Sequence, residues 1–327
     1  MEALGSEDPH VAYGRIKIPM PSAAIDVGSN TLRLLIGSVT GDKVSRLYTD
    51  RVITRLAERL GETGRLGEEN MKRSLSALKS FAGSMSRFGV RDVKAVGTSA
   101  LRDAENSEAF IAAAYAESGI RIEVVSGRRE AELTSRGVLA GFHHSTGASL
   151  IIDIGGGSTE WIVQDAEVFC QTVPLGVVGL AENFLKTDPP AAAEIAALVG
   201  TIDMSLRSDG WDIPTGTRQF ERLVGTGGTI TTLASIDLGL KKYDHEAVHM
   251  RRLTRSRLYR IRDRLIVLTL KERQDIAGLE AGRADLIIPG VLLTMRVMEN
   301  FGFTEITASD SGLLEGLLKE IDDEKGL

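Results

Sequence analysis

The sequence predicts an α/β fold of two similar domains with a cleft between them. Apolar runs of strand length alternate with helical patterns along the 327 residues, which is typical of α/β proteins. One pattern also occurs twice: an apolar strand ends in aspartate and leads into a turn rich in glycine, serine and threonine. The two aspartates, Asp26 and Asp153, lie 127 residues apart, which is about one domain length.

The first half of the chain opens with a β-meander and continues with alternating helices and strands. Gly41-Asp42 forms the turn between the second and third apolar runs. In the long helix that follows, apolar side chains recur every three or four residues, and Gly89 ends it as a C-cap glycine would. The predicted elements are strands at 22–27, 32–39 and 43–49, a helix at 68–88, a strand at 93–96, a helix at 104–118 and a strand at 120–125.

The second half repeats the three-strand pattern. Pro189-Pro190 marks the start of a helix, because proline is favoured in the first helical position. Residues from about 255 onward are mostly helical. The predicted elements are a helix at 129–139, strands at 149–154, 160–164 and 167–173, a helix at 189–206, a strand at 222–224, a helix at 230–238, a strand at 305–308 and a closing helix at 313–321.

The composition excludes several classes of protein. Its 43% hydrophobic and 26% charged residues are ordinary for a globular protein, and no apolar run reaches the roughly 18 residues of a membrane span. The net charge of -6 argues against broad nucleic-acid binding. The single cysteine, Cys170, rules out an internal disulfide and fits a cytoplasmic protein. Residues 1–20 lack the basic and apolar parts of a secretory signal, so we interpret them as a flexible lead-in.

The turn after Asp153 carries the strongest functional signal. Three consecutive glycines, Gly155, Gly156 and Gly157, follow a fully apolar strand, and Ser158 comes next. Each glycine costs roughly 0.5–1 kcal/mol of chain entropy, so the loop indicates that a ligand approaches the backbone. Backbone N–H groups in such a loop can bind phosphate oxygens, and the aspartate can hold a counter-cation.

Two further loops point to the same kind of ligand. The loop at 28–30, after Asp26, would by itself also fit an Asx-capped turn, but its similarity to the loop after Asp153 favours phosphate binding. The loop at 227–229 lies between a predicted strand and a predicted helix, where backbone amides face an anion at the helix N-terminus. Together the three loops predict a cleft that grips a phosphate chain from both sides.

Ordered motifs over residues 22–318 resemble the actin-like ATPase superfamily, and within it most closely the exopolyphosphatase/guanosine pentaphosphate phosphohydrolase (Ppx/GppA) family. The resemblance implies two actin-like (ribonuclease H-like) domains at 21–135 and 136–327, after the lead-in at 1–20, with a substrate cleft between them. It also leaves the last helix free to pack back on the first domain. The motifs that carry it are DVGSNTLRLL at 26–35, GTSALR at 97–102, SGRREA at 126–131, DIGGGSTE at 153–160, VGTGGT at 224–229 and RAD at 283–285.

The resemblance implies roles for individual residues in the hydrolysis of a terminal phosphoanhydride. Glu130 matches the family's catalytic glutamate and would deprotonate the attacking water, and Glu160 would be a second catalytic residue that helps to position this water. Asp26, Asp153 and Glu160 would hold Mg²⁺, with Mn²⁺ as a second candidate ion and K⁺ as a candidate activator. The residues expected to bind the phosphate chain are Gly28, Ser29, Asn30, Arg102, Gly155, Gly156, Gly157, Ser158, Gly227, Gly228, Thr229 and Arg283.

Two departures from the family pattern bear on mechanism and substrate. Arg129 replaces a second acidic residue, so that two cations, Arg128 and Arg129, stand beside the expected base. They either bind substrate or lower the pKa of the base. Leu314 stands where the family often has an arginine, which argues against nucleotide recognition. A basic stretch at 251–264 is either a solvated helix face or a track for polyphosphate.

The leading interpretation is an exopolyphosphatase that releases terminal orthophosphate from inorganic polyphosphate. A guanosine pentaphosphate (pppGpp) 5′-phosphohydrolase is the alternative, because both substrates end in the same phosphoanhydride. A non-catalytic binder of polyphosphate, pppGpp or ppGpp, and a sugar or acetate kinase, are further alternatives. The resemblance implies a homodimer, and the sequence predicts neither a nucleic-acid partner nor a membrane partner.

Overall fold

Two mixed β-sheets, one from each half of the chain, form the centre of the computed structural model. The structure describes residues 20–142, 148–165, 168–208, 211 and 220–326. Apart from Met20, the predicted lead-in lies outside the described residues. None of the helices within the described residues is long and apolar enough to cross a bilayer.

The first sheet consists of β1 (Ser22–Val27), β2 (Thr31–Thr40), β3 (Lys43–Ile53), β4 (Asp92–Gly97) and β5 (Ile122–Val124). Their spatial order is β3-β2-β1-β4-β5. The first three strands form an antiparallel meander, and β4 and β5 continue the sheet parallel to β1. All five strands predicted for this half are confirmed.

The second sheet consists of β6 (Ser149–Ile154), β7 (Thr159–Gln164), β8 (Val168–Val173), β9 (Arg222–Thr226), β10 (Arg252–Thr254) and β11 (Glu305–Ala308). Its order is β10-β11-β9-β6-β7-β8. An antiparallel meander of β6, β7 and β8 again adjoins two parallel strands, β9 and β11. The predicted α/β fold of two similar domains is confirmed by this repeated order, to which β10 adds an edge strand.

Helices cover both sheets. Those of the first half are α1 (Leu60–Thr63), α2 (Glu68–Arg87), α3 (Ser99–Asp103), α4 (Ser107–Ser118) and α5 (Gly127–Ala140). Those of the second half are α6 (Val177–Phe184), α7 (Ala192–Leu206), α8 (Gly227–Leu238), α9 (His245–Val248), α10 (Arg255–Leu265), α11 (Leu270–Gln274), α12 (Ile287–Asn300) and α13 (Leu313–Gly326), with a 3₁₀ turn at Ala281–Arg283.

The structure corrects the predicted start of one helix. The helix predicted from Pro189 begins at Ala192 instead, because Glu194 binds the preceding loop from within the first turn. Its carboxylate accepts hydrogen bonds from the backbone N–H of Thr187 at 3.1 Å and of Ala191 at 2.9 Å. Helix α6 and strand β10 were not predicted, since eight and three residues are too few to establish a periodic pattern.

Helices α5 and α13 cross in direct backbone contact. Helix α5 connects the two halves, and α13 lies beside it and against the first sheet, where Leu317 and Leu318 pack with Ala24 of β1. A Cβ on Gly316 would overlap the carbonyl oxygen of Leu133, and a Cβ on Gly137 would overlap that of Gly312. The absence of side chains at the crossing therefore sets the distance between the two helices.

We expect Gly316→Ala to lower the free energy of unfolding by about 1–3 kcal/mol, the usual cost of overpacking. The matched control is Gly83→Ala in α2, where a Cβ would meet open space. That change should be neutral or stabilising, because alanine favours helix. Urea unfolding midpoints measure both effects, and equal midpoints for the two variants would contradict the packing argument.

Candidate active site

The loops after β1 and β6 meet between the two domains. The two strands hold equivalent places in their sheets, so their carboxyl ends present the loops at 28–30 and 155–158 to one cleft. A Cβ on Gly156 would lie 2.9 Å from the Cβ of Ser29, and one on Gly157 would overlap the hydroxyl of Ser99. Larger residues at these two positions would push the loops apart.

Between the loops lies a cavity of about 100 Å³, here called the loop cavity. Its volume corresponds to about three water molecules, so it accepts a group the size of one phosphate. The predicted site residues that line it are Asp26, Gly28, Ser29, Asn30, Glu130, Asp153, Gly155, Gly156, Gly157, Ser158, Glu160, Gly227, Gly228, Thr229 and Arg283.

Glu130 is buried in the wall of the loop cavity at the start of α5. The hydroxyl of Ser126 caps this helix by accepting the N–H of Arg129 at 3.2 Å, which fixes the first turn that carries Glu130. Glu130 as a whole residue is only 8% exposed. Burial raises its pKa to about 7, against the opposing effect of Arg102. A carboxylate with a pKa near neutrality is well matched to general-base work.

Arg102 is the one predicted phosphate-binding residue that is not among the described lining of the loop cavity. Its guanidinium donates to the Glu130 carboxylate at 2.8 Å and to the carbonyl oxygen of Val125 at 3.0 Å. In this arrangement Arg102 orients Glu130 and favours its ionised form.

Asp153 and Glu160 lie opposite each other on β6 and β7. Burial raises the pKa of Asp153 to about 6. Burial also raises the pKa of Glu160 well above its usual value, and the nearby carboxyls of Glu130 and Asp153 add to the effect. The hydroxyl of Ser158 donates to one oxygen of Glu160 at 2.7 Å. The site therefore concentrates negative charge that calls for a cation.

Sequence reasoning assigned no role to Arg33, which also lines the loop cavity. Arg33 pairs with Asp26 across β1 and β2 as Glu160 pairs with Asp153 across β6 and β7. Its Nε donates to the Asp26 carboxylate at 2.8 Å. The shared spacing, seven residues after each aspartate, is the signal that would have found it.

The carboxylates fit a hard divalent cation. One oxygen each of Asp26 and Glu160 is buried without a hydrogen-bond partner, and such oxygens are the ligands that Mg²⁺ prefers. Within the described part of the chain, no three His, Cys, Asp or Glu side chains form a group that could hold a metal by themselves. This suits Mg²⁺, which commonly uses one or two carboxylates and completes its shell with water and phosphate oxygens.

The third glycine loop forms the N-terminus of α8. Gly227 has a φ of +82°, and a Cβ there would overlap the carboxylate of Asp153. The guanidinium of Arg283 lies directly over Gly228, and it also donates to the hydroxyl of Thr31 from the first domain at 3.2 Å. Backbone amides at the N-terminus of α8 and an arginine above them together favour an anion.

Several of the other cations singled out from the sequence form ion pairs away from the loop cavity. Arg128 pairs with Glu132 at 3.0 Å, and Arg129 pairs with Glu320 on α13. In the basic stretch at 251–264, Arg251 and Arg257 share Asp237 at 2.6 and 2.7 Å. These pairs favour the interpretation of that stretch as a structural, solvated surface over a polyphosphate track.

Comparison with known proteins gives one consistent family. The Ppx/GppA phosphatase family matches residues 35–324. "Exopolyphosphatase 2" of Mycobacterium tuberculosis is 32% identical over 90% of this chain and 96% of its own length. A crystal structure of an exopolyphosphatase from Cytophaga hutchinsonii superimposes with a TM-score of 0.83 at 30% identity, covering 93% of this chain and 98% of that one.

A further relative carries a different name. "Guanosine-5'-triphosphate,3'-diphosphate pyrophosphatase" of Vibrio parahaemolyticus is 30% identical over 92% of this chain, which spans 59% of that relative's length. The family match covers most of the chain, including Glu130 and the glycine loops at 155–158 and 227–229 that line the loop cavity. The chain therefore belongs to the Ppx/GppA phosphatase family.

Proposed function

We propose that this protein is an exopolyphosphatase that releases terminal orthophosphate from inorganic polyphosphate. The family consists of phosphatases, and the chain is accordingly an enzyme that hydrolyses phosphoanhydrides. The observation that carries the proposal is the position of Glu130: a buried carboxyl group with a pKa of about 7 that shares one phosphate-sized cavity with three glycine loops.

The reaction follows from this arrangement. The terminal phosphate occupies the loop cavity, where loop amides and Arg283 stabilise its oxygens. A water molecule attacks the terminal phosphorus in line while Glu130 takes its proton. The phosphorus–oxygen bond to the next phosphate breaks, orthophosphate forms, and the shortened chain keeps the bridging oxygen. One or two of the carboxylates of Asp26, Asp153 and Glu160 would hold Mg²⁺, and the ion would supply charge neutralisation on the phosphate oxygens.

We further propose Mg²⁺ as the physiological metal, with Mn²⁺ as a substitute and K⁺ as an activator. A cytoplasmic location and a homodimer complete the proposal. The single cysteine supports the first, and the resemblance to the family supports the second.

Hydrolysis of pppGpp is the second candidate function, because the loops grip only a terminal phosphate and the Vibrio parahaemolyticus relative is named for a guanosine substrate. Leu314 in place of an arginine favours polyphosphate. The non-catalytic binder has no support of this kind, since a buried base is superfluous for binding alone, and none of the relatives described above is named as a kinase.

Glu130→Gln should lower kcat on polyphosphate by about 10²- to 10⁴-fold, because the amide cannot accept the proton of water. KM should change little, since the loops that hold the phosphate are intact. Phosphate release measures the effect. Glu132→Gln, two residues along α5 and paired with Arg128, is the matched control and should retain full activity. A fully active Glu130→Gln enzyme would rule out the base.

The pH dependence of kcat/KM should report the same group. Below a pKa of about 7, Glu130 is protonated, so kcat/KM should fall about tenfold for each pH unit on the acid side. Arg102 lowers the pKa of Glu130, so Arg102→Gln should move the acid limb to higher pH. Arg128→Gln, on the same helix, should leave the limb in place. If the acid limb of the kcat/KM profile lies at the same pH in Arg102→Gln as in the wild type, Arg102 does not act through Glu130.

The two candidate substrates are separated by a direct comparison of kcat/KM. We expect a higher kcat/KM for short-chain polyphosphate than for pppGpp, because Leu314 removes a guanidinium from the region expected to contact a nucleotide. Orthophosphate release from both substrates, at equal Mg²⁺, provides the measurement. The reverse preference would make the protein a pppGpp phosphohydrolase.

A further inference from the structure

A second, larger cavity of about 480 Å³ adjoins the loop cavity and is here called the distal cavity. Both cavities are lined by Arg33, Gly227, Gly228 and Arg283, so a ligand can pass from one to the other over the third glycine loop. Glu130 lines the loop cavity and is not among the residues that line the distal one. A chain that enters the distal cavity therefore leads away from the proposed base.

Three arginines, Arg33, Arg51 and Arg283, gather where the two cavities meet, and we call them the arginine cluster. Glu280 pairs with both Arg51 and Arg283 at 3.2 Å, so one carboxylate serves two guanidiniums. Arg283 is the most buried of the three, with 14% of its side chain exposed. Burial lowers the pKa of Arg283, and the charges of Arg51 and Arg33 lower it further, against the opposing effect of Glu280. Asp26 pairs with Arg33, so two carboxylates face the three guanidiniums. The cluster therefore keeps a surplus of positive charge that a bound anion would relieve.

We propose that the distal cavity is the subsite for the phosphates that follow the terminal one, and that Arg51 binds them. This inference rests on the proposed function, because it needs a substrate whose terminal phosphate lies in the loop cavity. The scissile bond then lies near Arg33 and Arg283, with water and Glu130 on one side and the departing chain on the other. In-line attack requires this order.

The opposite exit from the loop cavity is less suited to a polyanion. A third cavity, of about 310 Å³, meets the loop cavity at Ser29, Asn30 and Leu286. Among its described lining residues, four carboxylates outnumber three cationic side chains, whereas in the distal cavity four arginines outnumber three carboxylates. Arg55 of the third cavity is also held by Asp285 at 2.6 Å. Charge therefore favours the distal cavity for a phosphate chain.

The aromatic residues of the distal cavity favour phosphate over a guanine base. The guanidinium of Arg51 lies over the ring of Tyr243, 4.7 Å from its centroid, and the hydroxyl of Tyr243 donates to Asp310. Tyr48 packs against Phe88 with ring centroids 5.2 Å apart. Both tyrosine rings thus already have a partner, while the guanidinium of Arg51 above Tyr243 suits charged oxygens.

The test measures the contribution of Arg51 with substrates of different length. Arg51→Gln should raise KM for long-chain polyphosphate about tenfold, because it removes one charge-assisted hydrogen bond to the substrate. Its effect on tripolyphosphate, which has fewer phosphates to place in the distal cavity, should be much smaller. Arg51→Lys should restore part of the affinity. Arg91→Gln, an exposed arginine of the first domain outside the described lining of these cavities, is the matched control and should leave both KM values unchanged.

Binding without turnover separates this inference from the proposed function. In Glu130→Gln enzyme, titration with long-chain polyphosphate should give a Kd about tenfold weaker when Arg51→Gln is added. If the wild-type enzyme hydrolyses polyphosphate but the Arg51→Gln and Arg91→Gln variants have the same KM and the same Kd, the subsite proposal is overturned and the proposed function stands. A wild-type enzyme that releases no phosphate from any polyphosphate would overturn the proposed function and the subsite with it. A loss in Arg51→Gln confined to pppGpp would assign the distal cavity to the nucleotide.

Discussion

Four buried acidic residues, each no more than 8% exposed, direct their carboxyl groups to one small cavity, and the repulsion between these groups governs the arrangement around it. Charges this close and this poorly solvated must be paired, protonated or bridged by cations. The protein shows the first two of these solutions. Arg33 pairs with Asp26, and Arg102 pairs with Glu130. The raised pKa values of Asp153 and Glu160 favour protonation unless a metal ion arrives.

The duplicated fold explains why the two halves of the cavity differ. The same strand register brings a residue of β2 beside Asp26 and a residue of β7 beside Asp153. In the first domain that residue is an arginine, and in the second it is Glu160. One domain therefore contributes an internally neutralised pair, while the other contributes a doubly acidic pair. A symmetric scaffold thus gives one cavity two chemically different halves, one neutralised and one acidic.

The sequence predicted most strands and the glycine loops because their signals are local. An apolar run that ends near Asp153 and is followed by three glycines can be recognised in the sequence without any knowledge of the fold. The partner of Arg102 could not be recognised in this way, since pairing with Glu130 across 28 residues depends on tertiary structure. Short elements such as α6 have too few residues to show the periodic pattern by which helices are predicted. The crossing at Gly137 and Gly316 could not be predicted either, because an isolated glycine in a helix does not indicate which other helix packs against it.

The return of α13 to the first sheet has a consequence for the order of folding during synthesis. One face of that sheet, with Ala24, Leu35 and Val96, is covered by side chains of α13 such as Leu317 and Leu318. Nearly three hundred residues separate the first strand from its cover. Chains usually fold from the N-terminus as they leave the ribosome. Here an apolar face of the first strands stays exposed until α13 has been synthesised. We therefore expect chaperones to bind the nascent first domain.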